Sequence, residues 1–136
     1  MPAIPSLLGV GVYATIKVAG YTAYAHYLNR ATGTQVSPLA FGATKTLVGL
    51  VGGVTYIYGI VPAFAFLDRS IIAFWVGAIP VRAMAWAIVL AVFFRAQLRP
   101  ALFLAAVTAG VIWSYLLDAL MSIFYRFLPG LSMPIC

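Results

Sequence analysis

The stretch from Ile71 to Phe94 reads IIAFWVGAIPVRAMAWAIVLAVFF. Arg82 is its only charge, and its apolar residues run on continuously instead of alternating as a half-buried strand would. A run this long exceeds the roughly twenty residues an α-helix needs to cross a hydrocarbon core. Three more such runs follow from the sequence, from about Ile4 to Leu28, Leu39 to Leu67 and Ala101 to Leu128.

Short polar stretches separate them. Asn29-Arg30-Ala31-Thr32-Gly33-Thr34-Gln35 closes the first run, with Gly33 as the helix stop. Ser37-Pro38 supplies an N-cap and a proline in the first turn of the second. Asp68-Arg69-Ser70 reads as a tight turn, and Arg95-Ala96-Gln97-Leu98-Arg99-Pro100 as the third loop. Pro129-Gly130 ends the fourth run and leaves a short apolar tail. Loops this short make consecutive helices antiparallel neighbours. The expected fold is all-α, an integral membrane four-helix bundle forming one domain over residues 1–136. A lipid-embedded β-barrel is excluded, because four continuous apolar runs neither alternate nor close.

Composition agrees. Of 136 residues 65% are hydrophobic and 7% charged, and the mean hydropathy is +1.08. Soluble domains carry roughly 25% charged residues, and a small one leaves too much surface in water to hide this apolar content. The missing solvent is lipid. The first run is not a removable signal peptide, since it lacks a basic leader and carries Lys17 in mid-run. Cys136 is the only cysteine, so no intrachain disulfide forms.

The formal net charge of +6 raises nucleic acid as a partner, but the distribution argues against it. Arg30, Arg69, Arg95, Arg99 and Arg126 sit singly or in pairs at the ends of apolar runs and form no basic stripe. That is the pattern membrane topology and anionic headgroups demand, so the expected partners are membrane lipids and a second copy or another membrane protein. Arg30, Arg95 and Arg99 lie on one face, against Arg69 and Arg126 offset by Asp68 on the other. The positive-inside rule then puts both termini on the non-cytoplasmic side, in an inner membrane of bacterial type.

In the second run Gly42, Lys45, Gly49, Gly52, Tyr56 and Gly59 recur at spacings of three and four, which puts them on one helix face. Gly49 and Gly53 add a small-xxx-small pair. Helices in lipid associate by close backbone approach, so this face reads as a packing surface for a neighbouring helix or another copy.

The sharper feature is charge deep in the runs. Counted at about 1.5 Å per residue from the face holding the first and third loops, Lys17 lies roughly 16 Å deep, Arg82 roughly 18 Å, Asp118 roughly 25 Å and Lys45 roughly 9 Å. Each central charge costs about 2.5–3.5 kcal/mol, while an apolar residue returns only about 0.3–0.6 kcal/mol. An internal pair of Arg82 with Asp118 explains part of this, and Lys45 is shallow enough to snorkel to the headgroups. Because the chain contains no Glu and Asp118 is its only acid outside the Asp68 turn, basic charge is left over.

Polar neighbours share these faces at helical spacing. Tyr13, Lys17, Tyr21 and Tyr24 do so in the first run, Trp75, Ile79, Arg82 and Trp86 in the third, and Ser114, Asp118, Ser122 and Tyr125 in the fourth. Tyr56 falls level with Asp118. Pro80, and Gly59 with Pro62, weaken the third and second helices, as in helices that line cavities. Lys17 and Arg30 have the same separation as Arg82 and Arg95, and Phe41, Ala43 and Thr46 after Pro38 match Phe103, Ala105 and Thr108 after Pro100. Two parallel hairpin repeats would explain this, and so would chance in so apolar a chain.

His26 has no second His, Glu or paired Cys near it, so neither a metal site nor a haem is supported, and no cofactor is expected. Phosphate-cradling loops and nucleophile motifs are absent. The expectation is a mid-membrane basic polar site built from Lys17, Lys45, Arg82, Asp118, Tyr13, Tyr56 and Ser114. It would bind or pass a small anion or an anionic lipid headgroup. The alternatives are an assembly subunit that docks through its Gly face and charges, and a lipid-modifying enzyme using Asp118 or His26 as base.

Overall fold

The computed structural model describes residues 7–64, 70–95 and 98–127, with side chains from residue 9 to 124 among them. The Asp68-Arg69 turn, Ala96-Gln97, the start of the first run, the Pro129-Gly130 stop and Cys136 lie outside the described residues, as do the side chains of Tyr125 and Arg126.

Helix α1 covers Leu7–Thr32, α2 Pro38–Ala63, α3 Ile71–Phe94 and α4 Pro100–Phe127. The first helix runs one turn past Leu28 because nothing before Gly33 stops it. Gly33 takes a φ of 68°, and the Thr34 N–H donates to the Asn29 carbonyl at 3.1 Å, closing the carbonyl end as a left-handed cap does. The Asn29 side chain then fastens the loop by donating to the Val36 carbonyl at 2.6 Å and accepting from the Val36 N–H at 3.2 Å. Ser37 caps α2 through the Ala40 N–H, with Pro38 in the first turn, and Ser70 caps α3 through the Ile72 N–H.

The second helix is not α-helical throughout. After Pro38–Thr55 the chain widens into a π-helical segment, Tyr56–Ile60, before the last turn Val61–Ala63. Pro62 brings no N–H, and the Val61 N–H reaches back five residues to the Tyr56 carbonyl. Gly59 lies within this segment, and π turns of this kind mark interruptions of the regular ladder.

Packing is closest between α1 and α2, and α2–α3, α3–α4 and α4–α1 contacts close the ring into a four-helix bundle. Gly42 sets the α1–α2 crossing. A Cβ there would collide with the Thr22 hydroxyl and come within 2.8 Å of the Val18 carbonyl. Gly110 does the same service for Trp86, whose indole ring fills the space an added Cβ would need.

Polarity is inverted relative to a soluble bundle. Leu47, Val51, Ile71, Val92, Leu104 and Leu116 point outward, while among the described residues the buried polar and charged side chains are Lys17, Lys45, Arg82, Ser114 and Asp118. Helices α2, α3 and α4 are long and apolar enough to cross a membrane. The chain is an integral membrane protein. The remaining corner belongs to α1, whose 26 residues span about 39 Å; its inward stripe of Tyr13, Lys17, Tyr21 and Tyr24 makes it less apolar than the others.

Toward the first and third loops the core is an aromatic plug. Trp86 is fully buried, with ring centroids 5.4 Å from Tyr21, 4.8 Å from Tyr24 and 6.0 Å from Phe41. Phe41 in turn meets Phe94 at 5.7 Å. Beyond a central layer of charge, a smaller apolar group joins Tyr56 and Ala78, with Phe74 and Val81 against them.

Candidate functional site

Asp118 sits at the centre of the charge layer. One carboxylate oxygen pairs with the Lys17 ammonium from α1, and the other with the Arg82 guanidinium from α3 at 2.6 Å. The axial count placed Asp118 about a turn and a half beyond both cations and matched it with Arg82 alone. Two long side chains cover that offset from opposite sides, so a single carboxylate holds both. The pairs tie α1, α3 and α4 together at mid-depth.

Lys45 does not snorkel. It is 2% exposed, with its ammonium 4.9 Å from the Tyr21 ring centre and 4.8 Å from that of Trp86. The negative faces of two rings attract a cation worth about 0.5–2 kcal/mol each, and that holds the side chain inside. Ring contacts also flank the other cations. Tyr13 and Tyr21 lie 5.6 and 5.7 Å from the Lys17 ammonium, and Tyr115 lies 4.3 Å from the Arg82 guanidinium carbon.

A cavity of about 30 Å³ opens beside this layer, between α2 and α3. Its wall includes Tyr13, Tyr21, Lys45, Tyr56, Arg82 and Ser114, and Gly49, Gly52 and Gly53 form the α2 side. That space is large enough to admit water. The glycine face thus divides by position. Gly42 brings two helices together, Gly49, Gly52 and Gly53 leave a hollow, and Gly59 is exposed within the π segment.

The hydroxyls around the cavity form a chain with one proton to spare. The Trp86 indole N–H donates to the Ser114 hydroxyl at 2.9 Å, and an indole can only donate. Ser114 and Tyr21 share one bond at 3.2 Å, so between them a second O–H proton remains. Tyr56 donates to the Phe74 carbonyl at 2.6 Å, and Tyr115 to the Trp75 carbonyl at 2.6 Å. These two phenols brace α3 just before Val76, whose carbonyl loses its helical partner at Pro80.

All seven site residues named from sequence are buried. Tyr13, Lys45, Tyr56, Arg82 and Ser114 line the cavity, while Lys17 and Asp118 adjoin it through Arg82. Other residues that share their helix faces by spacing lie elsewhere. Ile79 is exposed, Ser122 is exposed and bonded within its own helix, and His26 is exposed at the far end of α1. Sequence reasoning passed over Tyr115, three residues before Asp118, and Gly110. The position of Tyr115 one turn from the lone acid was an available signal for the first. Gly110 gave none, because its role depends on a tryptophan from another helix. The chain matches no known protein family, no curated protein and no solved structure.

Proposed function

We propose that this protein binds a compact anion inside the membrane, in the cavity walled by Lys45 and Arg82. The anion is a free solute or the headgroup of an anionic lipid, and binding is the step on which passage across the bilayer would rest. The observation that carries this reading is a charge imbalance. Lys17, Lys45 and Arg82 are buried around one carboxylate, two positive charges in excess, and a cavity lies against two of the three cations. Ion-pairing to Asp118 offsets only part of the cost of burying such charges. An anion beside Lys45 and Arg82 would offset more, and the spare Tyr21–Ser114 proton supplies a donor.

The docking alternative is weaker on the same facts. Among the described residues Asp118 is the only acid, and both its oxygens are engaged within one chain. It therefore offers little to a partner's cation.

Purified protein in nanodiscs of zwitterionic lipid, in gluconate buffer, would be titrated calorimetrically with chloride, nitrate and phosphate. Saturable binding is expected, with Lys45→Met weakening it at least about tenfold, equal to about 1.4 kcal/mol, while leaving the clamp on Asp118 intact. A second arm adds anionic lipid to the discs. Stabilisation by that lipid without response to soluble anions assigns the headgroup as ligand, and response to neither refutes the reading.

A further inference from the structure

We propose that a groove between α1 and α4 binds one anionic phospholipid, with its phosphate between Arg30 and Arg99. This site is separate from the hollow between α2 and α3 and lies on the outer surface of the bundle. Two bonds cross the seam. The Tyr24 hydroxyl donates to the Ala106 carbonyl at 2.7 Å, and the Trp113 indole N–H to the Gly20 carbonyl at 2.9 Å. Beside them runs a groove walled by Ala23 and Tyr27 of α1 and by Ala109, Ile112, Trp113 and Leu116 of α4. Tyr27, Ile112 and Leu116 are each more than half exposed, so the groove opens toward lipid.

Length and wall chemistry fit an acyl chain. The Tyr24–Ala106 bond sets α1 and α4 level to within a turn. Tyr27 then stands about one turn toward the first loop, and Leu116 about three turns the other way, roughly 20 Å apart along the bundle. One leaflet of hydrocarbon is about 15 Å deep, half of the core. A second helix is the poorer occupant. Helices in lipid approach through small residues, and here only two alanines lie among Tyr27, Ile112, Trp113 and Leu116.

Charge selects the headgroup. Arg30 lies seven residues beyond Ala23, and Arg99 seven before Ala106. Two turns keep each on the same face, about 10 Å to the headgroup side of the Tyr24–Ala106 bond. Both arginines are exposed, and Arg99 opens α4, its carbonyl accepting from the Phe103 N–H at 2.8 Å. Guanidinium groups meet phosphate with paired N–H donors, and among the described residues no acid stands at this end. A zwitterionic headgroup would bring its own cation toward two arginines, and an anionic one does not.

The test uses the intact protein in phosphatidylcholine nanodiscs containing phosphatidylglycerol, with bromine on the acyl chains of one lipid or the other. Bromine quenches tryptophan on contact, and Trp113 walls the groove while Trp86 is fully buried. In the quenching that Trp113→Phe removes, phosphatidylglycerol is expected to be preferred at least about tenfold. Arg30→Gln and Arg99→Gln should each lower that preference at least about threefold. Arg95→Gln removes the same charge at the same end, on the helix diagonal to α1, and should change it less than about 1.5-fold. Ala109→Phe fills the groove from its lipid side and should also lower it at least about threefold.

No preference for phosphatidylglycerol, or an equal loss in Arg95→Gln, overturns the site in favour of diffuse surface charge. An unchanged preference in Ala109→Phe overturns the groove, and a dimer that Ala109→Phe separates gives it to a second copy of this chain. A loss in Lys45→Met places the lipid in the hollow instead and equally overturns the inference. Native mass spectrometry of retained phosphatidylglycerol reads the same variants without tryptophan, so the test stands even if Trp113→Phe fails to fold.

Discussion

The clamp at Asp118 makes an asymmetric prediction about stability. Asp118→Asn removes the one negative charge among the described residues and leaves Lys17 and Arg82 buried against a neutral amide, with Lys45 nearby. Removing one partner of a buried pair while the other stays charged typically costs about 3–5 kcal/mol, and here two cations lose the same partner. Lys17→Met is different in kind. It deletes a cation that is 1% exposed, puts an apolar chain of similar length in its place, and leaves Asp118 paired with Arg82 at 2.6 Å. Replacing buried charge by packed apolar groups is often neutral, so its cost should stay within about 1.5 kcal/mol. Reversible unfolding in mixed micelles, followed by the fluorescence of Trp75, Trp86 and Trp113 in gluconate buffer, measures both. Comparable costs for the two variants, or an Asp118→Asn cost below about 1 kcal/mol, would refute the electrostatic account of the layer.

The glycines of α2 should separate by site in the same assay. Gly42→Ala forces a methyl against the Thr22 hydroxyl and Val18 carbonyl and is expected to cost about 1–3 kcal/mol by overpacking, whereas Gly59→Ala, whose nearest neighbour would be Thr55 at 3.9 Å, should stay within about 0.5 kcal/mol. Orientation can be read through Cys136, the only cysteine: if the terminus is non-cytoplasmic, as the basic loops indicate, an impermeant maleimide labels it on intact cells, and labelling only in inverted vesicles reverses the assignment.

Four helices, the Gly33 stop and the Ser37-Pro38 start were legible because each depends on neighbours in sequence. So was the inward turn of Lys17, Arg82 and Asp118, since a charge far from both ends of an apolar run has nowhere else to go. What the chain alone does not disclose is azimuth. Counting residues gives height along a helix, and that count paired Arg82 with Asp118 without locating Lys17 on the carboxylate's other oxygen. Between the two readings of Lys45, site residue and snorkelling side chain, sequence could not choose for a related reason. Its depth permits snorkelling, and the rings of Tyr21 and Trp86, which favour the inward rotamer, come from two other helices. Regular spacing also made one packing face of Gly42, Gly49, Gly52 and Gly59, although each glycine's effect is set by what stands opposite.

These contacts divide the described bundle into unequal halves, which bears on how the proposed anion would reach its centre. Lipid supplies no hydrophobic force between helices, so cohesion must come from close approach and polar pairing. Toward the first and third loops both are present: the Gly42 crossing, the fit of Gly110 to Trp86, and the edge-to-face contacts of Tyr21 and Tyr24 with Trp86 and of Phe41 with Phe94. Opening that end means parting several buried rings at once. Toward the opposite end the described residues include the Tyr56–Phe74 and Tyr115–Trp75 bonds, beside Pro80 in α3 and a π segment in α2 that has already left α-helical register. Local opening is cheapest where regular hydrogen bonds and buried apolar contacts are fewest. Among the described residues, a path past Tyr56 would therefore part fewer buried contacts than one through the plug.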